Sequence, residues 1–223
     1  MGDQPQTGTS GNPAPSATLD ELVARSRELI ATGSRRILGI SGTPGSGKST
    51  LSGALADALG EEAVLVGMDA FHLANQELLR LGRRNRKGAP DTFDVDGYVA
   101  LLARLAVPSD HDIYAPVFDR ALEESIGSAV PVLPSVRLVI TEGNYLLLEE
   151  HGWAAVSAHL DESWFIDVAP ELRRERLVRR RMSFGEDPEA AARWVRDVDE
   201  ANALVIEKTR NRADLVVCFA TPL

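Results

Sequence analysis

The sequence predicts an α/β fold, a five-stranded parallel sheet flanked by helices, and three observations carry the prediction. Five short apolar runs, at 35–40, 63–67, 136–141, 164–168 and 214–219, have the length of buried strands. Segments of helical period separate them, and each link is too long for a hairpin, so the strands run parallel with both faces covered. The first run breaks directly into a glycine-rich loop, after which Leu51, Leu55 and Leu59 recur at helical spacing.

Taken in order, residues 1–17 are polar and rich in Pro, Gly, Ser and Thr, without a basic start or an apolar core, and read as a disordered tail rather than a signal peptide. One globular domain over 18–223 follows. Leu19, Leu22, Val23, Leu29 and Ile30 trace one face of a first helix, with Asp20 and Glu21 in its first turn where the helix dipole favours acids. The run at 63–67 ends in Met68, Asp69, Ala70, Phe71 and His72. From 73 to 94 the pattern loosens around Arg80, Arg83, Arg84, Arg86 and Lys87, a basic cluster that a solvated surface would also explain. A helix through Val95, Tyr98, Val99, Leu101, Leu102 and Leu105 comes next. Residues 112–120 mix aromatics with charge, show neither helical nor strand period, and read as an ordered loop of the kind that carries function. The third strand ends in Glu142, Gly143, Asn144 and Tyr145. After the fourth, a helix over 170–181 breaks at Ser183, Phe184 and Gly185, and a long helix spans 187–208.

The chain has 223 residues, of which 44% are hydrophobic and 26% charged, enough for one well-buried core. Lys and Arg number 24 against 33 Asp and Glu, a net charge of −9, so neither nucleic acid nor an anionic membrane is expected as a main partner. The single cysteine, Cys218, rules out an internal disulfide, suits a reducing compartment, and in its apolar run reads as a buried strand residue rather than a nucleophile. No uncharged run approaches a membrane span, and a cytoplasmic location is expected. A homodimer stays open.

Chemistry enters at the glycine loop. Gly42, Gly47, Lys48 and Ser49 fit the pattern G-x-x-x-x-G-K-[ST], with Thr43, Pro44, Gly45, Ser46 and Thr50 completing the stretch. A loop nearly free of bulky side chains can turn its N–H groups inward onto polyphosphate. Lys48 reaches the outer phosphates as a point charge, the Ser49 hydroxyl can ligate Mg²⁺, and the helix that opens here aims its positive end at the same anions. Asp69 and Glu142 each stand just past a strand end, which puts both on the rim of a parallel sheet that carries the loop. One can take a proton from an attacking hydroxyl while the other holds or orients Mg²⁺, and their positions leave the order open. Arg173, Arg174, Arg176, Arg179, Arg180 and Arg181 crowd one helix and repel one another unless polyphosphate neutralises them. Arg176 and Arg180, at i and i+4, share a face and are expected to meet nucleotide. His72 could bond substrate or pack beside Phe71. Neither a Cys/His metal set nor a G-x-S-x-G elbow occurs, and the glycine spacing disfavours a dinucleotide fold.

The loop together with 68–72, Phe93-Asp94, 114–120, 142–145, 176–180 and 199–202 resembles the phosphoribulokinase/uridine kinase family over about residues 35–219. The resemblance implies a P-loop NTPase/kinase fold with a small helical lid at about 176–188, and an ATP-dependent kinase that moves the γ-phosphate to a hydroxyl of a nucleoside, sugar or pantothenate-like metabolite. It implies Asp69 as the base, Glu142 near Mg²⁺ in the Walker B place, and Arg180 within the lid. Tyr114, Phe118, Asp119 and Arg120 match the stretch lining the acceptor pocket, and Asn144 and Asn202 lie in matching segments. Ala70 and the series Phe118-Asp119-Arg120 depart from better-known members, which leaves the acceptor open while the ATP half is intact. An Asp119–Arg120 pair would favour a neutral acceptor, and a free Arg120 a carboxylate. The second reading, a nucleotide-dependent switch or metallochaperone-type GTPase, lacks the Asn-Lys-x-Asp segment that reads guanine in many such proteins.

Overall fold

A computed structural model of the chain describes residues 16–219. Helix α1 (Leu19–Ile30) starts at a capping box in which Thr18 and Glu21 satisfy each other's backbone N–H groups. Strand β1 (Arg36–Gly42), helix α2 (Lys48–Leu59) and strand β2 (Ala63–Leu65) follow. After α3 (Asn75–Arg80) and α4 (Val95–Leu105) comes β3 (Ile113–Asp119), then β4 (Glu124–Val132), β5 (Leu138–Glu142), α5 (Ala154–Ser157) and β6 (Glu162–Ile166). The chain closes with α6 (Pro170–Ser183), α7 (Pro188–Trp194), α8 (Glu200–Glu207) and β7 (Leu215–Val217).

Five strands form one parallel sheet in the order β2-β5-β1-β6-β7, with β1 in the middle, Ile37 opposite Val139 and Leu38 opposite Glu162. Alternation along β1 divides the core. Ile37 faces one side with Val139, Phe165, Met68, Tyr98, Leu102 and Trp153, while Leu38 and Ile40 face the other with Leu22, Leu51, Leu55, Ile140 and Trp164. Helices α1 and α2 therefore cover one face, and α4 and α5 the other. Leu51 and Leu55 are fully buried, so truncating either to alanine costs about 2–5 kcal/mol.

Two sequence expectations need correction. Residues 112–120 are not a loop: they hold β3, which pairs antiparallel with β4 in a separate two-stranded sheet. The register shifts between Ala115 and Val117, around Pro116, which lacks the N–H a regular ladder needs. Only Ile113 and Ala115 of β3 and Val132 of β4 are buried in the core, at one end of the pair, so the alternation is too short for the sequence to display a period. Cys218 is half-buried just past β7, and burial and the Asp167 charge raise its thiol pKa. The long helix over 187–208 is continuous but contains a π segment at Val195–Asp199 between α7 and α8. Of the N-terminal tail, residues 1–15 lie outside the described residues, whereas Ser16 bridges to Cys218 and the Ala17 N–H donates to the Cys218 carbonyl at 2.8 Å.

Candidate active site

At the carboxyl end of the central strand β1, between β5 and β6, the chain turns through 43–47 into α2. Packing holds this loop closely. Gly45 has φ +80°, and a Cβ there would stand 2.8 Å from the Arg173 carbonyl and 2.9 Å from Leu177 Cγ. A Cβ on Gly42 would stand 2.7 Å from Ser46 Oγ and 3.0 Å from the Ile166 carbonyl. The loop is thus clamped between the end of β6 and α6, with no room for a side chain at Gly42 or Gly45.

Inside it, the Lys48 ammonium donates to the Gly42 carbonyl at 2.8 Å and the Thr43 carbonyl at 3.1 Å. Burial pushes its pKa down to about 8, against the opposing pull of Glu142 and Asp69. Ser46 Oγ is buried without a hydrogen-bond partner. Buried donors of this kind, an orphan hydroxyl and an ammonium resting on its own loop, fit the oxygens of a polyphosphate.

The two carboxylates come from neighbouring strands. Gly143 lets β5 run close to the turn at 68–71, since a Cβ there would lie 2.5 Å from Met68 Cβ. Thr141 Oγ1 donates to the Val66 carbonyl at 2.5 Å, tying the same two segments together. Glu142 at the end of β5 accepts from Ser49 Oγ at 3.0 Å. Burial and the Asp69 charge raise its pKa, with Lys48 and the Ser49 bond opposing. Asp69, in the short 3₁₀ turn Met68–Phe71, forms an ion pair with Arg120. Burial works to raise the Asp69 pKa, but Arg120, His72 and Lys48 outweigh it and hold the carboxyl below its usual range. Among the described residues no three His, Cys, Asp or Glu side chains gather as a metal cluster. A magnesium ion that rides on nucleotide phosphates needs only one or two protein ligands, and the Ser49–Glu142 pair fits that requirement.

His72 both packs and faces the site. Its Nδ1 lies 2.8 Å from the Asp69 carbonyl, so Nδ1 carries the proton and Nε2 is left as an acceptor. The ring stands 4.1 Å from Phe93 and 5.0 Å from Phe118, and burial lowers its pKa. Phe118 is flanked by two cations, Arg120 at 4.9 Å and Lys87 at 5.1 Å from the ring centre. Asp119 does not pair with Arg120. Its Oδ1 accepts from the Ala121 N–H at 2.8 Å and the Leu122 N–H at 3.0 Å, which makes it the residue that shapes the hairpin turn. Tyr114 is 53% exposed near the far end of β3, roughly 20 Å of extended strand from Arg120. Asn144 and Asn202 are half-buried, and the structure records no side-chain hydrogen bond for either.

The crowded arginines are mostly neutralised by protein rather than left to repel. Arg173 reaches Glu200 at 2.5 Å, Arg174 reaches the same carboxylate at 2.9 Å, Arg179 reaches Glu175 at 2.5 Å and Arg181 reaches Glu186 at 2.5 Å. Arg181 also lies 4.5 Å over the Trp194 ring. Arg176 and Arg180 have no carboxylate at salt-bridge distance among the described residues, and Arg176 Nη1 comes within 3.6 Å of where a Gly47 Cβ would be. Burial and the nearby Arg120 lower the Arg180 pKa, with Asp199 and Asp69 opposing. Glu175 pairs with Arg179 at i,i+4 within α6, but Glu200, which pairs with Arg173 and Arg174, comes from α8, and Glu186, which pairs with Arg181, lies beyond the end of α6. The sequence also did not single out Lys87, whose ammonium is held by Asn75 Oδ1 at 2.9 Å and the Glu123 carbonyl at 2.6 Å. Its only signal was membership of the basic cluster. A hollow of about 840 Å³ beside the C-terminal end of α4 is lined by residues 103–113 and touches neither Lys48, Asp69 nor Glu142, so the chemistry, not the room, locates the site.

A phosphate loop at the end of a central parallel strand, two rim carboxylates and an arginine helix define a nucleotide-binding protein of the P-loop class. The sequence pattern of the phosphoribulokinase/uridine kinase family matches residues 37–220, and the chain belongs to that family. It is similar to a candidate uridine kinase of Schizosaccharomyces pombe, 34% identical over 213 residues, which covers 90% of each chain. It is also similar to the crystal structure of a candidate fructose transport system kinase from Silicibacter sp. TM1040, at 39% identity and TM-score 0.82 over 90% of this chain and 99% of that one. The fold, though not the sequence, is shared with YFH7 of Saccharomyces cerevisiae, at TM-score 0.80 and 18% identity over 93% of this chain and 100% of that one. The chain is therefore a P-loop kinase and a phosphotransferase, and the switch reading is not favoured. No described helix is long and apolar enough to cross a membrane.

Proposed function

We propose that the chain transfers the γ-phosphate of ATP to a hydroxyl of a small metabolite, in the cytoplasm. The observation that carries this reading is the meeting of Asp69 and the Ser49-bonded Glu142 beside the phosphate loop. In it, residues 42–50 bind the polyphosphate, with Lys48 on the outer phosphates and Arg176 and Arg180 closing over them from a lid at about 176–188. Ser49 and Glu142, with Asp69 near, would hold Mg²⁺, which would neutralise charge on the phosphates. Asp69 accepts the acceptor's hydroxyl proton, and it also lies near Lys48 and Arg180, the cations that stabilise the transferring group. His72, Phe118 and Arg120 line the acceptor side. Tyr114, Asp119, Asn144 and Asn202 are supported there by the family resemblance alone, and Asp119 acts through the turn it caps.

The relatives' names span a nucleoside and a sugar, so they do not select the acceptor. A coupled ADP-release screen across nucleosides, pentoses, hexoses and hydroxy acids tests the reading. Acceptor-dependent ADP release that Asp69→Asn abolishes is the expected result. GTP hydrolysis in preference to ATP, with no acceptor phosphorylated, would sink it.

A further inference from the structure

We infer that Arg120 is an anion sensor: it latches Asp69 until an acceptor bearing a carboxylate or phosphate draws the guanidinium away, so the acceptor is an anionic hydroxy compound. The inference rests on the kinase reading and deepens it.

Four observations support it. First, Arg120 pairs with Asp69, the group placed to take the proton, and Asp119 is committed to the hairpin turn. The contact runs from Arg120 Nη2 to Asp69 Oδ2, and a guanidinium beside the carboxylate lowers its basicity, so proton transfer is favoured when the pair opens. Second, the pair is easily exchanged. The Arg120 side chain is 51% exposed and Asp69 30%, and ion pairs so open to water are weak. Third, the Arg120 guanidinium lies over the Phe118 ring, its Cζ 4.9 Å from the ring centre, so the head keeps a cation–π contact while it exchanges one oxyanion for another. Fourth, among the described residues the other cations on this side, the exposed Arg84 apart, have partners or duties. Lys87 is held by Asn75 and Glu123, Arg83 and Arg86 share Asp91, and Lys48 and Arg180 are assigned to the polyphosphate in the proposed reaction.

When Asp69 turns to the hydroxyl, Arg120 is left beside Arg180 without a counter-charge. A neutral acceptor supplies none, and the latch stays shut. A carboxylate or phosphate supplies two oxygens that match the guanidinium fork. The hydroxyl oxygen then attacks the γ-phosphorus and its proton passes to Asp69. The bond from the γ-phosphorus to the β,γ-bridging oxygen breaks, and ADP leaves with the electron pair. The aromatic surface of His72, Phe93 and Phe118 offers apolar contact to the carbon skeleton between hydroxyl and anion.

The test measures ADP release at saturating MgATP with three matched pairs: D-glycerate and glycerol, pantothenate and pantothenol, fructose 1-phosphate and fructose. The carboxylate and phosphate members separate the two sources of negative charge. Wild type, Arg120→Gln, Arg120→Lys and the double variant Asp69→Asn/Arg120→Gln are compared, with binding of a nonhydrolysable ATP analogue checking that each is folded. The expected result is at least a tenfold preference in kcat/KM for an anionic member over its neutral partner, lost in Arg120→Gln and partly restored in Arg120→Lys. Acceptor-free ATP hydrolysis should rise severalfold in Arg120→Gln, because the freed Asp69 can take a proton from water, and the double variant should abolish the rise. That rise supports the latch even where none of the six compounds is phosphorylated. Turnover of a neutral member as well as its anionic partner overturns the inference and leaves the kinase reading standing, as does an Arg120→Gln variant with unchanged acceptor-free hydrolysis. ATP binding with no acceptor phosphorylated, and hydrolysis indifferent to Asp69→Asn, overturns the kinase reading itself.

Discussion

On the nucleotide side of the site, Lys48 and Arg173 are more than nine-tenths buried, Ser46 is buried, and backbone is clamped against backbone at Gly42 and Gly45. On the acceptor side, Asp69 and Arg120 are half-exposed, one on a 3₁₀ turn and the other on a hairpin that lies outside the main sheet. The first region recognises a ligand common to many enzymes, and its geometry is held by the core. The second is set by side chains that can exchange partners at low cost. Within one cleft, rigidity is concentrated where the ligand is invariant and adjustability where specificity must be read.

The sharpest way to break the comparison is to remove one group from each side. Lys48→Ala should weaken ATP binding and cut phosphoryl transfer by roughly a thousandfold or more, whereas Asp69→Asn should cut kcat by a similar factor with little effect on binding of an ATP analogue. Calorimetric titration of the analogue into both variants, beside their turnover numbers, checks it. Equal loss of binding in Asp69→Asn would show that the two sides are not separable.

Gly45→Ala tests rigidity alone. The added methyl meets the Arg173 carbonyl and Leu177 Cγ below 3.0 Å at a positive φ, so loop or helix must shift. A rise in KM for ATP of about tenfold or more, equivalent to roughly 1–2 kcal/mol, is expected, with a smaller change in KM for the acceptor.

Arg180→Ala probes the boundary between the regions, because that guanidinium is close enough to feel the charges of both Lys48 and Arg120. It should lower kcat more than it raises KM for ATP, by about tenfold against about twofold, if its charge is used mainly in the transition state. Amide exchange over 176–185 should slow when a nonhydrolysable ATP analogue is added. Indifference there, with 42–49 protected, would make α6 a static brace instead of a lid.

The same contrast explains what could be read in the sequence. The parallel sheet, the order of its strands with helices and the phosphate loop were legible because burial imposes periodicity on residues such as Leu38, Ile40, Leu51 and Leu55. Glycines at 42, 45 and 47 stand where only their backbone fits. The hairpin was not legible, since only Ile113, Ala115 and Val132 at one end of it are buried and Pro116 interrupts the register. Nor could spacing show that Arg120 meets Asp69, 51 residues away, or that Glu200 neutralises Arg173 and Arg174 across 27 and 26 residues. The sequence's own question, whether Asp119 pairs with Arg120, was one of side-chain direction, and the turn geometry decided it.

The smallest expected effect concerns protons. Burial places the Lys48 pKa at about 8 in the nucleotide-free protein, below the ordinary lysine value. Phosphate oxygens beside the ammonium favour its charged form, so the pKa in the complex lies higher. Between those two values the complex holds more protons than its components, and binding must take up as much as one proton. Affinity for ATP should therefore be nearly independent of pH below about 7 on this account. It should fall as pH rises through 8, by no more than tenfold per unit. Folding of the nucleotide-free protein responds with the opposite sign: the unfolded chain binds more protons at this lysine above about pH 8, so its contribution to stability rises with pH there. Calorimetry in buffers of different ionisation enthalpy at pH 8.5 measures the uptake directly. Lys48→Arg keeps a cation that does not titrate, so its uptake should be close to zero even where its affinity is reduced. Equal uptake in wild type and Lys48→Arg would move the titrating group elsewhere, to Glu142 or His72, and with it the claim that the nucleotide side is the buried, preorganised half of the site.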